Sequence, residues 1–169
     1  MPSPSPHPRI RYERSRREDL KPLELIRTSA FQAIFASFQS ILGDTIYERA
    51  QRPEDEAQKE MLPSLLAQDS EWEMWNLIFE QKIAGFIAIK IDTDSLVGEI
   101  GLNAIDPDFA GQGLGSHMYQ FAVQKMKEAG MKVATVATGG DPAHLPARKA
   151  YRKAGFNVEI PSLWMCQEL

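Results

Sequence analysis

Apolar residues recur along this chain with two different periods. From Leu20 to Leu42 the spacing is helical: Leu20, Leu23 and Ile26, then Phe31, Ile34, Phe35, Phe38, Ile41 and Leu42, return every three or four positions. Asp19 stands where it would cap the first of these helices. Gly43-Asp44 supplies a stop and a new start, so two helices are expected to meet there. The phenylalanine stripe reads as core. Residues 58–68 read as a weaker helix interrupted by Pro63.

From Glu71 the period falls to two. Residues 71–80 and 82–92 predict a hairpin, its second strand placing Ile83, Gly85, Ile87, Ile89 and Ile91 on one face. Residues 97–105 predict another strand. Leu114, Met118, Phe121 and Ala122 then mark a helix over 113–129, which Gly130 ends. A strand over 132–138, a helix over 144–154 and one or two closing strands over 156–169, interrupted by Pro161, complete the pattern. Residues 10–13 form a short strand candidate. The Pro/Ser-rich residues 1–8 are expected to be a disordered tail, leaving 9–169 as a single domain. Helices, an antiparallel meander, then strand-helix-strand-helix-strand predict a mixed α/β (α+β) sheet.

Composition narrows the field modestly. The 169 residues are 43% apolar and 25% charged, ordinary for a soluble globular protein. No apolar run approaches the roughly 20 residues of a membrane span, and the first residues lack a signal-peptide apolar core. The single cysteine, Cys166, precludes an internal disulfide and is expected as a buried small residue of the closing strand. A reduced, cytoplasmic location is the expectation. A net charge of −4 argues against a broad nucleic-acid surface. Acids dominate residues 54–80, where a solvated helix face competes with an acidic rim that attracts a cationic substrate. No histidine or cysteine pair has metal-ligand spacing, so no metal is expected.

The chemistry concentrates in Glu99-Ile100-Gly101-Leu102-Asn103-Ala104-Ile105-Asp106-Pro107-Asp108-Phe109-Ala110-Gly111-Gln112-Gly113-Leu114-Gly115-Ser116. A strand runs into a glycine-rich turn and a helix begins at once. Such a turn converges main-chain N–H groups beside the positive end of a helix, a site suited to a pyrophosphate. The P-loop is excluded, because no Gly-Lys-Ser/Thr follows. The dinucleotide fingerprint fits Gly111 and Gly113, but its third glycine falls on Ser116 and residues 131–138 carry no acid.

A third motif fits better. Residues Ile105-Asp106-Pro107-Asp108-Phe109 followed by Gly111-Gln112-Gly113-Leu114-Gly115 resemble the V-x-P-x-Y/F…G-x-G-x-G segment of the GNAT superfamily of N-acetyltransferases. Downstream, Ala147-Arg148-Lys149-Ala150-Tyr151-Arg152-Lys153-Ala154-Gly155-Phe156 resembles that superfamily's A-x-x-x-Y-x-K-x-G-F ending. The resemblance spans residues 99–156 and assigns no subfamily. It implies a central, mostly antiparallel twisted sheet of six to seven strands, splayed at the cofactor site and flanked by about four helices. It also implies acetyl-CoA as co-substrate.

By position, Asn103, Ala104 and Ile105 would pair their main chain with the pantetheine amides, as an added strand does. Main-chain N–H groups from Ala110 through Gly111, Gln112, Gly113, Leu114, Gly115 and Ser116 would hold the pyrophosphate, with His144, Ala147 and Tyr151 flanking the pantetheine arm. Two positions depart from the family pattern. Ala110 replaces the usual Gln or Arg, removing a side-chain contact, and His144 replaces a frequent Asn.

The implied reaction is direct attack of a primary amine of a small molecule or peptide on the thioester. Glu99, in an otherwise apolar strand, is the candidate base, its pKa expected to rise through burial; a strand-edge carboxylate in a salt bridge is the alternative. Tyr151 is the candidate acid for the leaving thiol. A non-catalytic module that binds acyl-CoA or a partner protein is the competing reading, and family habit admits a homodimer. No nucleic acid and no membrane partner is expected. The acidic stretch hints at polyamines or aminoglycosides, while residues 104–115 also resemble ribosomal-protein acetyltransferases.

Overall fold

The computed structural model describes residues 9–169; the expected tail, residues 1–8, lies outside the described residues. Among those described, five strands form one sheet in chain order: β1 (Ile10–Arg14), β2 (Trp72–Phe79), β3 (Lys82–Asp92), β4 (Val97–Ile105) and β5 (Val133–Val136). Strands β1 to β4 are antiparallel, and β5 joins β4 in parallel. A parallel step requires a crossover, and helix α4 (Leu114–Glu128) provides it.

Helices cover both faces of the sheet. Against one face, Leu23 and Ile26 of α1 (Leu20–Ile46) and Leu62 of α3 (Met61–Leu65) pack on Met74, Phe86, Ala88 and Ala104. Against the other, Leu114, Met118, Ala122 and Met126 of α4, and Tyr151 of α5 (Leu145–Lys153), pack on Leu77, Ile87, Ile89 and Ile100. The short α2 (Arg52–Ala57) links α1 to α3 and is tied by the buried Tyr47 hydroxyl, which donates to Asp55 at 3.0 Å. No helix among the described residues is long and apolar enough to cross a membrane.

Local physics accounts for the departures from the sequence pattern. Glycine 43 takes φ 72° and ψ 167°, a conformation a helix cannot contain, so the long α1 segment breaks where Gly43-Asp44 marked a stop. Asp19 does not cap α1. Its Oδ2 accepts instead from the Arg16 N–H at 2.8 Å and from Asn76 Nδ2 at 2.9 Å. In the β2–β3 pair, Leu77 opposes Gly85 while Ile78 opposes Ile83, so Ala84 is an extra residue. That bulge reverses the pleat: Ile87, Ile89 and Ile91 face α4, whereas Ile83 packs on the α1 side.

The sheet has five strands rather than the expected six or seven, because residues 157–169 form none. Pro161 removes a ladder donor, and Glu159 is drawn back to α5, where Arg152 Nε donates to its Oε1 at 2.7 Å. Val158, Ile160, Leu163 and Met165 are consequently exposed, and Cys166 is exposed rather than buried in a strand.

Asn76, on β2 and 3% exposed, ties the first strand to the sheet: Ser15 Oγ donates to its Oδ1 at 2.6 Å while its Nδ2 donates to Asp19. Asn76→Ala removes both bonds, takes away the acceptor of the Ser15 hydroxyl and leaves Asp19 with the Arg16 N–H, and should lower unfolding stability by about 2 kcal/mol, measured by urea denaturation.

Candidate active site

The site begins where the sheet opens. Strand β5 pairs with β4 only from Val97 to Ile100; beyond Ile100 that edge of β4 has no strand partner among the described residues. At the same level the β3–β4 register slips, with Ile89 opposite Ile100 but Ile87 opposite Asn103, so β4 carries one extra residue. The bulge switches the alternation of side chains. Before it, Gly98 and Ile100 face α4: a Cβ on Gly98 would sit 2.5 Å from Met126, and Ile100 lies in the α4-side core. After it, Asn103 and Ile105 face the same side. Gly101 faces the opposite way, against Trp72, whose ring lies 2.5 Å from where its Cβ would be.

A cleft of about 620 Å³ opens at this break. Its floor is β4 from Glu99 to Ile105, and its walls come from the turn before α4, from Ala147, Ala150 and Tyr151 of α5, and from Ala30, Phe31 and Ile34 of α1. The phenylalanine stripe, expected as core, is half-buried, and two of its residues border the cleft.

The turn after β4 is built to expose main chain. Asp106 Oδ1 accepts from the Asp108 N–H at 3.0 Å and starts a single turn of 3-10 helix, Pro107–Phe109. Gly111 and Gly113 adopt φ of 77° and 76°, a region that favours glycine, and a Cβ on either would meet only open space. Gly113 is the N-cap of α4 and provides no side-chain cap; the helical ladder starts with the His117 N–H donating to Gly113 at 3.2 Å. The N–H groups of Leu114, Gly115 and Ser116 therefore precede the first helical bond and lie at the positive end of a 15-residue helix. Ala110 corrects the expectation for this turn, because its N–H is taken by the Pro107 carbonyl at 3.0 Å. The available donors begin at Gly111.

On the α4–α5 side, Asn103 sits among hydroxyls. Its Nδ2 donates to the Gly101 carbonyl at 2.9 Å and to Tyr151 Oη at 3.1 Å, while Tyr119 Oη donates to its Oδ1 at 2.8 Å. The two tyrosine rings stack at 4.1 Å. Burial pushes the Tyr119 hydroxyl well above the ordinary tyrosine value, and the neighbouring Tyr151 adds to this. Burial also raises Tyr151, but the neighbouring Tyr119 hydroxyl and the bond donated by Asn103 Nδ2 oppose it.

At the start of α5, Asp141 joins α1 to the turn Pro142–His144. Its carboxylate accepts from Ser37 Oγ of α1 at 2.8 Å and from the Ala143 N–H at 3.1 Å, and its Oδ1 contacts His144 Nδ1. Phe38 stacks on the imidazole at 6.0 Å. Arg148 Nη1 reaches back to the carbonyls of Gly139 and Asp141 at 2.5 and 2.8 Å, closing the loop. A Cβ on Gly139 would collide with the His144 ring and the Asp141 carboxylate, so this pair requires glycine there. With Nδ1 engaged, His144 keeps Nε2 as the remaining ring nitrogen of a residue that lines the cleft.

Glu99 borders the cleft but is exposed, so the burial expected for it is not found. It stands opposite Lys90 in the ladder, and Lys90 ion-pairs with Glu71 at 2.5 Å. Nor does the acidic stretch form a rim at the cleft. Glu73 pairs with Arg14 and Glu80 with Arg9, and Asp55 is buried against Tyr47. Tyr119, Asp141 and Ser37 are the polar residues of this region that the sequence pattern did not single out for the site. For Tyr119 the available signal was its place three residues before Ala122, on the inner side of the helix that carries Leu114, Met118 and Met126.

Burial alone would raise Asp141, but hydrogen bonds from His144, Ser37 and Ala143 outweigh it and hold the carboxyl below its ordinary value. A depressed carboxyl stabilises the fold above its unfolded pKa and ceases to do so as pH falls through the folded one. The stability gap between the native protein and Asp141→Asn should therefore hold near neutrality and shrink below about pH 4, measured by denaturant unfolding at a series of pH values.

Solved structures share this architecture. The PaiA N-acetyltransferase of Thermoplasma acidophilum, in complex with coenzyme A, superposes with a TM-score of 0.68 at 17% identity, covering 90% of this chain and 92% of that one. The ribosomal-protein-S18-alanine N-acetyltransferase of Escherichia coli gives 0.64 at 16%, covering 89% and 79%. An aminoglycoside acetyltransferase from an uncultured soil metagenomic sample, in complex with sisomicin, gives 0.57 at 21%, covering 95% and 96%. No curated protein sequence matches significantly. The model of the acetyltransferase (GNAT) family matches residues 35–156, most of the chain, and the chain belongs to that family.

Proposed function

We propose that residues 9–169 act as one acetyl-CoA-dependent N-acetyltransferase domain, with a primary amine of a small molecule or peptide as acceptor. One observation carries this reading: a strand edge left unpaired in mid-sheet lies next to a glycine turn whose N–H groups converge at a helix N-terminus. An extended diamide fits the first feature and a pyrophosphate the second, and the residues present suit both. Asn103, Ala104 and Ile105 would hold the pantetheine through main chain. The N–H groups from Gly111 to Ser116 would hold the phosphates, and His144 Nε2 would accept a hydrogen bond from the pantetheine arm.

Bound acetyl-CoA supplies a thioester whose C–S bond breaks as the amine nitrogen bonds to its carbonyl carbon. The protein's task is to move two protons. Glu99, exposed at the mouth of the cleft, accepts the proton shed by the substrate ammonium, through water. Tyr151 Oη donates a proton to the departing sulfur and recovers it from solvent. Alternation about Gly98 and Ile100 places Glu99 on the α1 side, whereas Tyr151 lies on the α4–α5 side. Base and acid thus flank the gap from opposite faces of the sheet. Ala30, Phe31 and Ile34 border the acceptor end, favouring an amine with apolar carbons beside it.

Titration calorimetry should detect acetyl-CoA binding, and thiol release over a panel of amines should detect turnover; absence of binding refutes the assignment. In Gly113→Ala the turn relaxes from φ 76° in the free protein, and restoring it on binding costs about 1–2 kcal/mol for a left-handed non-glycine residue, which should weaken coenzyme A binding roughly tenfold. Tyr151→Phe should lower kcat by about 10²-fold with KM for acetyl-CoA little changed.

A further inference from the structure

We propose that Tyr119 and Asn103 are positioning residues that keep the Tyr151 proton free for donation into the cleft and receive the charge it leaves behind. The inference rests on the acyl-transfer reading above, and it follows from counting the hydrogens in this cluster. The Asn103 amide has two, given to the Gly101 carbonyl and to Tyr151 Oη. Its Oδ1 takes the Tyr119 hydroxyl hydrogen at 2.8 Å. Tyr151 Oη is therefore an acceptor toward Asn103, and its own hydrogen is not consumed there. Turning the amide over would set Oδ1 against the Gly101 carbonyl, acceptor against acceptor, and would let Oδ1 capture the Tyr151 proton. The Gly101 carbonyl forbids that orientation, and the Tyr119 hydroxyl secures the observed one by donating to Oδ1.

The two tyrosines are not equivalent. Both are buried, which raises both, and their rings stack, yet the bond from Asn103 Nδ2 opposes the rise at Tyr151, whereas the contact with Tyr151 adds to the rise at Tyr119. When Tyr151 gives its proton to sulfur, the resulting phenolate has the Asn103 Nδ2 donor in place, and the Tyr119 hydroxyl can swing from Asn103 Oδ1 onto it. No other charge need move. The arrangement depends on the β4 bulge, since regular alternation from Ile100 would turn Asn103 away from both hydroxyls.

A double-mutant cycle tests the device. Tyr119→Phe keeps the ring and should lower kcat roughly tenfold, a fraction of the 10²–10⁴-fold that a positioned acid supplies, with the protein still folded at the assay temperature and coenzyme A affinity unchanged. In the Tyr119→Phe/Tyr151→Phe double variant, kcat should equal that of Tyr151→Phe alone, because Tyr119 acts only through Tyr151. Multiplicative losses, or no loss in Tyr119→Phe, overturn the proposal while leaving Tyr151 as the acid. A fully active Tyr151→Phe overturns the acid assignment itself and this inference with it. Asn103→Ala provides the same cycle should Tyr119→Phe not fold. A second readout needs no substrate: in the free protein, the Asn103 side-chain amide protons should exchange with solvent at least tenfold faster in Tyr119→Phe, by nuclear magnetic resonance. An unchanged rate shows that Tyr119 does not hold the amide and refutes the proposal.

Discussion

Everything at this site depends on β4 losing its β5 partner after Ile100. A strand edge inside a sheet normally has its N–H and C=O groups paired, and leaving them without partners away from water costs about 1–3 kcal/mol each. The protein keeps this edge open through geometry that is fixed elsewhere. Beyond Val136 the chain is led away to the loop at residues 139–141, which Arg148 clasps from α5. The β4 bulge is seated where Gly101 lets Trp72 approach within 2.5 Å of the missing Cβ. In the proposed reading an opening held this way is preorganised: its main-chain groups would meet an extended ligand with no strand to displace first.

The break also turns a sheet, normally a wall, into a passage. Chemistry that removes a proton from one reactant and delivers one to another gains from separating the two groups, because a carboxylate and a phenol in contact would exchange protons with each other. Here the exposed carboxylate of Glu99 and the buried hydroxyl of Tyr151 stand on opposite faces. Their environments differ accordingly, one open to water and the other dry enough that burial raises the hydroxyl above its ordinary value.

Residue patterning made much of this legible. The two periods located α1, the β2–β3 hairpin, β4, α4, β5 and α5 to within a few residues, because amphipathic periodicity is imposed by burial on one face. The glycine turn was legible because positive φ at Gly111 and Gly113 needs glycine. What escaped has a common physical origin, in that single-residue irregularities leave no periodic trace. The Ala84 bulge reassigned Ile83 to the other face, and the β4 bulge brought Asn103 to the tyrosines. Burial of Glu99 was inferred from its apolar neighbours in sequence, but those neighbours face the core while Glu99 faces out. The closing strands failed for a different reason. Alternation in residues 156–160 is present, but Pro161 and the Arg152–Glu159 pair hold that stretch away from any ladder.

The two departures from the family pattern carry unequal weight once their surroundings are known. His144 is supported. Asp141 fixes its Nδ1, Phe38 covers its ring, Ser37 anchors the carboxylate from α1, and Gly139 yields the space the pair occupies. An imidazole held on this many sides is an organised hydrogen-bonding group, not a loose replacement for an amide. Ala110 has no such compensation, since its side chain offers no donor and its N–H is already bonded to Pro107. In the proposed reading, phosphate recognition therefore falls on the main chain from Gly111 to Ser116 and on the dipole of α4. It depends on the conformation of two glycines to a degree that a family member with the usual Gln or Arg at this position need not share.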